Sequence, residues 1–189
     1  IRSGPLAASM RPWKPPVHRR LYCPECKRHF QPLGKGHAPA CSVGRNYELP
    51  PMINEGWRFL VFGGRDIPLE VHPKVHAFLD DVLAKHPELV LLHGGALGVD
   101  RTASNWAKGK GVREEIWPSR WTREWRTQPL WRNAEMAARK PEAGVGFIGP
   151  CVALTCRATY PHGSHGSVDM ATRALALGIP VFPHVWGGM

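Results

Sequence analysis

Two groups of cysteine and histidine residues have the ligand types and the spacing of metal sites. In the first group, Cys23 and Cys26 form a Cys-x-x-Cys knuckle, and His37 and Cys41 follow it, four positions from each other. Two thiolates on a knuckle, with a further histidine and cysteine, can surround one tetrahedral zinc ion. The sequence therefore predicts a short zinc finger that the metal holds folded. The alternative is a set of free thiols in a flexible leader.

The second group is Cys151, Cys156, His162 and His165, two thiols and two imidazoles within fifteen positions. It falls in a connection of sixteen residues, 151–166, between a predicted strand and a predicted helix. Because such connections usually take about 2–6 residues, this length needs a reason. A second tetrahedral zinc site would supply one by pinning the loop. Three alternatives remain: an unligated surface loop, a disulfide between the two cysteines, and histidines that contact a ligand instead.

Three further stretches carry glycine and polar residues where an α/β protein turns from a strand into a helix. They are the first turn, 63–66, the second turn, 93–101, and the third turn, 161–167. Turns of this kind gather at one edge of a parallel sheet, where backbone amides and helix N-termini favour an anion. The sequence therefore predicts a pocket for a phosphate-bearing small molecule, unless the glycines serve tight turns alone.

The elements that must position these turns follow from periodicity. The predicted strands are 58–62, 89–92, 112–117, 145–148 and 180–182, and the predicted helices are 72–85, one from about residue 99, one from about residue 129, and 167–177. Strands that alternate with helices predict an α/β fold, with a parallel sheet of about five strands, right-handed crossovers and helices on both faces. The stretch 118–128, rich in tryptophan and arginine, is predicted to be a loop or lid near the site.

Composition divides the chain into four parts. Residues 1–19 are predicted to be a flexible basic leader, 20–45 the zinc finger, 46–57 a proline-containing linker and 58–189 the α/β domain. Of the formal net charge of +10, residues 1–45 contribute most, with nine Lys/Arg and one acid. Such a segment either contacts nucleic-acid phosphates or is merely solvated.

Length and hydropathy limit the classes of protein to which this chain can belong. A chain of 189 residues with 43% hydrophobic content can form one packed domain and a small appendage. It has no apolar run of the roughly 20 residues that a membrane span needs, and it does not start with the apolar stretch of a secretory signal. These features argue against a membrane partner and predict a cytoplasmic protein. The odd number of cysteines, five, argues against a disulfide framework.

The order of the motifs resembles the small YspA-type members of the SLOG superfamily, which includes DNA-processing protein A and the LONELY GUY phosphoribohydrolases. The matching segments are G-G-R-D at 63–66, H-G-G-A-x-G-x-D-x-x-A-x-x-W-A at 93–107, R-N-x-x-M at 132–136, the glycine-rich turn at 162–167 and G-I-P-V at 178–181. The resemblance covers about residues 58–182 and implies a Rossmann-like fold. It also implies self-association, so we expect a homodimer.

The resemblance further implies a pocket for a nucleotide or nucleotide derivative over the carboxyl ends of the strands. Arg65 or Arg132 would clamp the phosphate through a planar fork of donors. Asp66 and Asp100 would accept from ribose hydroxyls or a base, although Asp100 is equally suited to be a helix N-cap. The candidate ligand-binding residues are Gly63, Gly64, Arg65, Asp66, Gly94, Gly95, Gly98, Asp100, Arg132, Asn133, Gly163, Ser164, Gly166 and Ser167.

One departure from the superfamily bears on catalysis. The last turn of the phosphoribohydrolases reads P-G-G-x-G-T-x-x-E with a catalytic glutamate, and Met170 stands at that position here. A thioether cannot exchange protons at neutral pH, and the neighbouring Asp169 would point about 100° away around a helix. Hydrolysis would need another carboxylate, for which Asp66, Asp100 and Asp169 are weak candidates.

Three functions follow, in order of preference. The first is a binding module that captures a nucleotide-derived ligand. The second is an enzyme, a phosphoribohydrolase that cleaves the N-glycosidic bond of a nucleoside monophosphate. The third is single-stranded nucleic-acid binding, as in DNA-processing protein A, through the basic leader and the tryptophan- and arginine-rich run 117–131. The alternative role of those tryptophans is packing against the sheet.

Overall fold

The computed structural model of the chain describes residues 53–118, 128–153, 156–158, 160 and 162–187. In order along this part of the chain, the elements are β1 Trp57–Gly63, α1 Val71–Lys85, β2 Leu89–His93, α2 Val99–Lys110, β3 Arg113–Ile116, α3 Gln128–Ala138, β4 Ala143–Ile148, α4 His165–Ala176 and β5 Val181–Val185. The predicted leader and zinc finger, including Cys23, Cys26, His37 and Cys41, lie outside the described residues. So do most of the predicted linker and the run 119–127.

The five strands form one parallel sheet in the order β3-β2-β1-β4-β5. The predicted parallel α/β sheet is confirmed. The chain runs outward from β1 to β2 and β3 on one side, and then to β4 and β5 on the other. The switch of direction between β1 and β4 leaves a crevice outside their carboxyl ends, which is where open α/β sheets bind ligands.

Helices cover both faces of the sheet, as predicted. Because alternate residues of a strand point to opposite faces, β1 contributes to two cores. Phe59 and Val61 pack with buried residues of α1 and α2. Leu60 and Phe62 pack with buried residues of α3 and α4. No helix of the described segments is long and apolar enough to span a membrane.

One element boundary differs from the prediction in a way that matters for the site. Helix α4 begins at His165, two positions before the predicted start, because the carbonyl of Ser164 accepts the first helical hydrogen bond, from the amide of Val168, at 3.0 Å. The third turn is therefore partly helical. Its residues 165–167 form the first turn of α4, at the carboxyl edge of the sheet.

Candidate functional site

A cleft of about 1180 Å³ opens at the carboxyl edge of the sheet, beside the ends of β1 and β4. All three predicted turns contribute to its wall. The predicted ligand-binding residues that line it are Gly63, Gly64, Arg65, Asp66, Gly98, Asp100, Arg132, Asn133, Ser164, Gly166 and Ser167. Three predicted residues, Gly94, Gly95 and Gly163, lie near this edge but do not line the cleft.

The first and second turns pack directly against each other. The amide of Val99 donates to the carbonyl of Gly64 at 3.1 Å, and the amide of Gly64 donates to the carbonyl of Phe147 at 3.0 Å. Gly98 has φ +74°, and a Cβ atom there would overlap the carbonyl oxygens of Gly64 and Arg65. Glycine at this position is therefore required by the close approach of two backbones.

Amides around the glycines of the second turn also have acceptors within the protein. Gly95 donates to Nδ1 of the buried His93 at 3.1 Å, so the proton of that imidazole lies on Nε2, which donates to Glu114 Oε2 at 2.8 Å. The amide of Ala96 donates to Asp100 Oδ2 at 3.2 Å. Asp100 is 4% exposed, and this burial raises its pKa against the opposing influence of Arg132. The second turn thus places a desolvated carboxyl group in the wall of the cleft.

The third turn has three amides at the start of α4 that differ from those of the other turns. The amides of residues 165–167 precede the first helical hydrogen bond, so they have no acceptor within the helix. The Ser164 hydroxyl donates to Ser167 Oγ at 2.7 Å rather than capping these amides. Together with the positive end of the helix dipole, this arrangement is suited to an anion.

Helix α3 brings a cation to the cleft. Arg132 Nη1 donates to the carbonyl of Gly94 at 3.1 Å, and a Cβ atom on Gly94 would overlap the guanidinium group. Burial lowers the pKa of Arg132, the charge of Asp100 opposes that shift and Arg65 adds to it. Arg65 is exposed and lines the same cleft. Two guanidinium groups therefore line one cleft.

Asn133 links α3 to α4. Its Nδ2 donates to the carbonyl of Gly166 and to Asp169 Oδ2, both at 3.0 Å. Asp169 also pairs with Arg173 at 2.8 Å and does not line the cleft. Among the catalytic candidates, Asp169 therefore has a structural role, and Asp66 and Asp100 remain in the wall. Met170 is 1% exposed and lines the cleft at the position of the superfamily's glutamate.

Trp186, just after β5, also lines the cleft and was not predicted from the sequence. Its six-membered ring lies on Gly64, where an added Cβ atom would be 3.0 Å from Cη2, and against Gly149, where it would overlap Cζ2. These glycines follow the two central strands, so the indole lies at the switch point. A tryptophan that follows the last strand of such a sheet is the sequence signal that could have identified it.

The second cysteine and histidine group does come together. The four ligand atoms of Cys151, Cys156, His162 and His165 all lie within 4.8 Å of one another. His165 Nε2 is 3.7 Å from Cys151 Sγ and 3.5 Å from Cys156 Sγ, and Cys156 Sγ is 3.0 Å from His162 Nε2. Ligands around one tetrahedral ion, with bonds of about 2.0–2.3 Å, lie roughly 3.3–3.8 Å apart. The group is therefore a candidate metal centre, hereafter the metal cluster.

Two groups of the metal cluster have hydrogen bonds that bear on metal binding. His162 Nδ1 donates to the carbonyl of Gly163 at 2.8 Å, which leaves Nε2 on the side of the cluster, an arrangement common in metal-binding histidines. Hydrogen bonds from the backbone at Ala158 and from His162 lower the pKa of Cys156 to about 6, and the thiol in turn raises the pKa of His162. The thiolate is the form that binds metal. Cys151 and Cys156 are free thiols, not the alternative disulfide.

Residues 58–123 match the model of the YspA, cpYpsA-related SLOG family. This match confirms the family resemblance and covers the first two of the five segments that carry it. The third turn, Arg132 and the metal cluster lie outside the matched segment.

Two solved structures resemble this fold. DNA processing protein A (DprA) from Streptococcus pneumoniae is 17% identical, with a TM-score of 0.50, over 71% of this chain and 52% of that one. The chain therefore spans about half the length of that protein. The structural-genomics target TM1055 is 18% identical, with a TM-score of 0.47, over 66% of this chain and 72% of that one. The search of curated proteins found no match to this chain.

Proposed function

We propose that the cleft binds a nucleotide or a nucleotide-derived ligand and holds its phosphate group at the start of α4. The observation that carries this proposal is that residues 165–167 have amides without helical acceptors in the wall that also contains Arg65 and Arg132. Amides and two planar cations around one surface recognise a phosphate group. The volume of about 1180 Å³ is ample for a nucleotide.

The remaining parts of the wall suit a nucleoside. Asp66 and Asp100 supply acceptors for ribose hydroxyls. Trp186 supplies an aromatic surface at the switch point, against which a base can stack. The phosphate and the nucleoside therefore have separate recognition groups in one cleft.

Calorimetric titration of the full chain with AMP and with adenosine tests this proposal. We expect AMP to bind at least tenfold more tightly, because charge-assisted hydrogen bonds are each worth about 1.5–3 kcal/mol. Arg65→Gln should weaken AMP and leave adenosine unchanged. Arg113→Gln, at the amino end of β3, removes the same charge at the opposite edge of the sheet and should change neither. Equal affinity for AMP and adenosine would contradict phosphate recognition.

The ion of the metal cluster is zinc in this proposal. Two thiolates and two imidazoles form a closed tetrahedral set that suits zinc and leaves no open position for catalysis. The zinc finger at Cys23, Cys26, His37 and Cys41 remains a prediction, so we expect about two zinc ions per chain. Elemental analysis should lose one ion in Cys156→Ser and the other in Cys26→Ser. A wild-type chain that holds no zinc when purified without chelator would contradict both sites.

Hydrolysis of the N-glycosidic bond is the second candidate, and Asp100 is the observation that favours it. A buried carboxyl group with a raised pKa in a cleft is suited to act as a general acid. Met170 cannot replace the superfamily's glutamate, so binding without hydrolysis ranks first. Chromatography of AMP incubated with the protein should show no free adenine. Release of adenine that Asp100→Asn abolishes would establish the enzyme instead.

Nucleic-acid binding is the third candidate and depends mostly on residues 1–45 and 119–127, outside the described segments. Trp117 and Trp131, at the two ends of the aromatic run, are 2% and 4% exposed and so pack in the interior. They are not available for base stacking. Affinity for an oligonucleotide that falls steeply with added salt would support this candidate. A cytoplasmic location and a homodimer remain expectations.

A further inference from the structure

We propose that the metal cluster and the cleft are coupled, so that metal binding raises the affinity of the cleft for a phosphate-bearing ligand and the ligand raises the affinity for metal. This inference rests on the proposed function of the cleft. It adds a control of that site by metal occupancy.

The two sites share residues. Cys151 and His165 belong to the metal cluster and also line the cleft. His165 is the first residue of α4, and its side chain belongs to the metal cluster while its amide belongs to the first turn of the helix. A bond from the metal to His165 therefore fixes the start of the helix whose amides would hold the phosphate.

The metal would join the two arms of one loop. Cys151 and Cys156 come from the arm that leaves β4, and His162 and His165 come from the arm that returns to α4. Backbone contacts close the neck of this loop: the amide of Cys151 donates to the carbonyl of His162 at 2.8 Å, an antiparallel bridge joins Pro150 and Gly163, and the amide of Ser164 donates to Gly149 at 2.9 Å. Residues 149–153 and 164–167, which line the cleft, are therefore joined to each other through this neck.

The coupling follows from conformational entropy. The side chains of the metal cluster stand at half-buried and exposed positions and contact one another through weak thiol hydrogen bonds. A ligand that needs an ordered wall must then supply the free energy of ordering it. A metal ion supplies part of that free energy first, which makes the two binding events cooperative. Zinc with two thiolates adds no net charge, so the effect arises from ordering rather than from attraction.

Linkage gives the size and the symmetry of the effect. A coupling of ordinary strength changes affinity by roughly 5–150-fold, and each partner must change the affinity of the other by the same factor. Since the ordered residues are those proposed to hold the phosphate group, we expect the affinity for AMP to change more than the affinity for adenosine.

Two matched variants of the full chain test the coupling. Cys156 belongs to the metal cluster but does not line the cleft, so Cys156→Ser removes a metal ligand and leaves the wall unchanged. Cys26→Ser removes a ligand of the predicted zinc finger. In calorimetric titrations, Cys156→Ser should hold one zinc ion fewer and bind AMP at least fivefold more weakly. Cys26→Ser should lose an ion and bind AMP like the wild type.

The outcomes separate the coupling from the proposed function. If Cys156→Ser loses its ion and binds AMP like the wild type, the coupling is overturned and the ligand cleft stands. Retention of every ion in Cys156→Ser would also overturn the coupling. If the wild type binds no AMP, both ideas fail.

The reciprocal measurement keeps the test sharp if Cys156→Ser does not fold. In the Cys26→Ser protein, the affinity of the remaining zinc ion is measured by competition with a chromogenic chelator. Saturating AMP should raise the zinc affinity by the same factor by which the metal raises the affinity for AMP. Adenosine should raise the zinc affinity less. A zinc affinity that AMP leaves unchanged would overturn the coupling.

Discussion

The first two glycine turns and the third turn look alike in sequence and differ in what their backbones do. In the first two, the amides of Gly64, Gly95 and Val99 all donate to acceptors within the protein. In the third, the amides of residues 165–167 stand at the open end of α4. The comparison teaches that glycine after a strand marks either a close contact between backbones or a site for an anion, and that hydrogen-bond accounting distinguishes the two.

The glycines themselves show the same division. A Cβ atom on Gly63 or Gly98 would overlap neighbouring backbone, whereas a Cβ atom on Gly166 would meet nothing within 4 Å.

Alanine substitutions should separate the two kinds of turn by stability. Gly98→Ala places a side chain at φ +74° against the backbone of the first turn, so it should lower the free energy of unfolding by roughly 2–4 kcal/mol. Gly166→Ala should be neutral or stabilise by up to about 1 kcal/mol, because glycine is unfavourable within a helix. Urea denaturation followed by circular dichroism measures both. Equal losses in the two variants would contradict the division.

Substitutions of Trp186 test how much its packing on the first turn stabilises the fold. Trp186→Ala removes an indole that packs on Gly64 and Gly149. Because this indole is only half-buried, the free energy of unfolding should fall by about 1–3 kcal/mol, less than the loss expected for a fully buried tryptophan. The same variant should weaken binding of AMP more than that of ribose 5-phosphate, because the lost contact is to the base. Trp186→Phe keeps a ring and should retain most of both properties. Unchanged stability in Trp186→Ala, measured by urea denaturation, would mean that the indole does not support the first turn.

Much of this fold could be predicted because buried parallel strands read as unbroken apolar runs, as at Leu89–His93, and because amphipathic helices repeat their apolar residues. The partners of the amides could not be predicted, since the acceptor for Gly64 is the carbonyl of Phe147, far along the chain. Glu115 gave no local signal either. It is fully buried because Arg139 pairs with it at 2.6 Å.

The candidate site, like the fold, could be predicted only in part. The spacing of Cys151, Cys156, His162 and His165 was enough to predict a group of ligands. It could not reveal that His165 starts the helix that lines the cleft, because helix ends depend on hydrogen bonds formed in the fold. The residues shared by the metal cluster and the cleft can therefore be recognised only in the tertiary structure.

Asp100 in the second turn gives the smallest expected effect, a gain in stability. Burial raises the pKa of this carboxyl group in the folded protein, so its ionised form destabilises the fold above the unfolded pKa of about 3.9. Asp100→Asn keeps an acceptor for the amide of Ala96 and removes that charge. Its melting temperature should exceed that of the wild type by a few degrees at pH 7, and the difference should vanish below pH 4. A lower melting temperature at pH 7 would show that attraction to Arg132 outweighs burial.

The most direct test of the proposed anion site at the start of α4 is a titration of the isotope-labelled full chain with AMP, followed through its backbone amide NMR signals. We expect the largest changes at His165, Gly166 and Ser167. The amides of Gly64 and Gly95 should change little because they already donate within the protein. The largest changes at Gly64 and Gly95, or at the amino edge of the sheet, would contradict the proposed anion site.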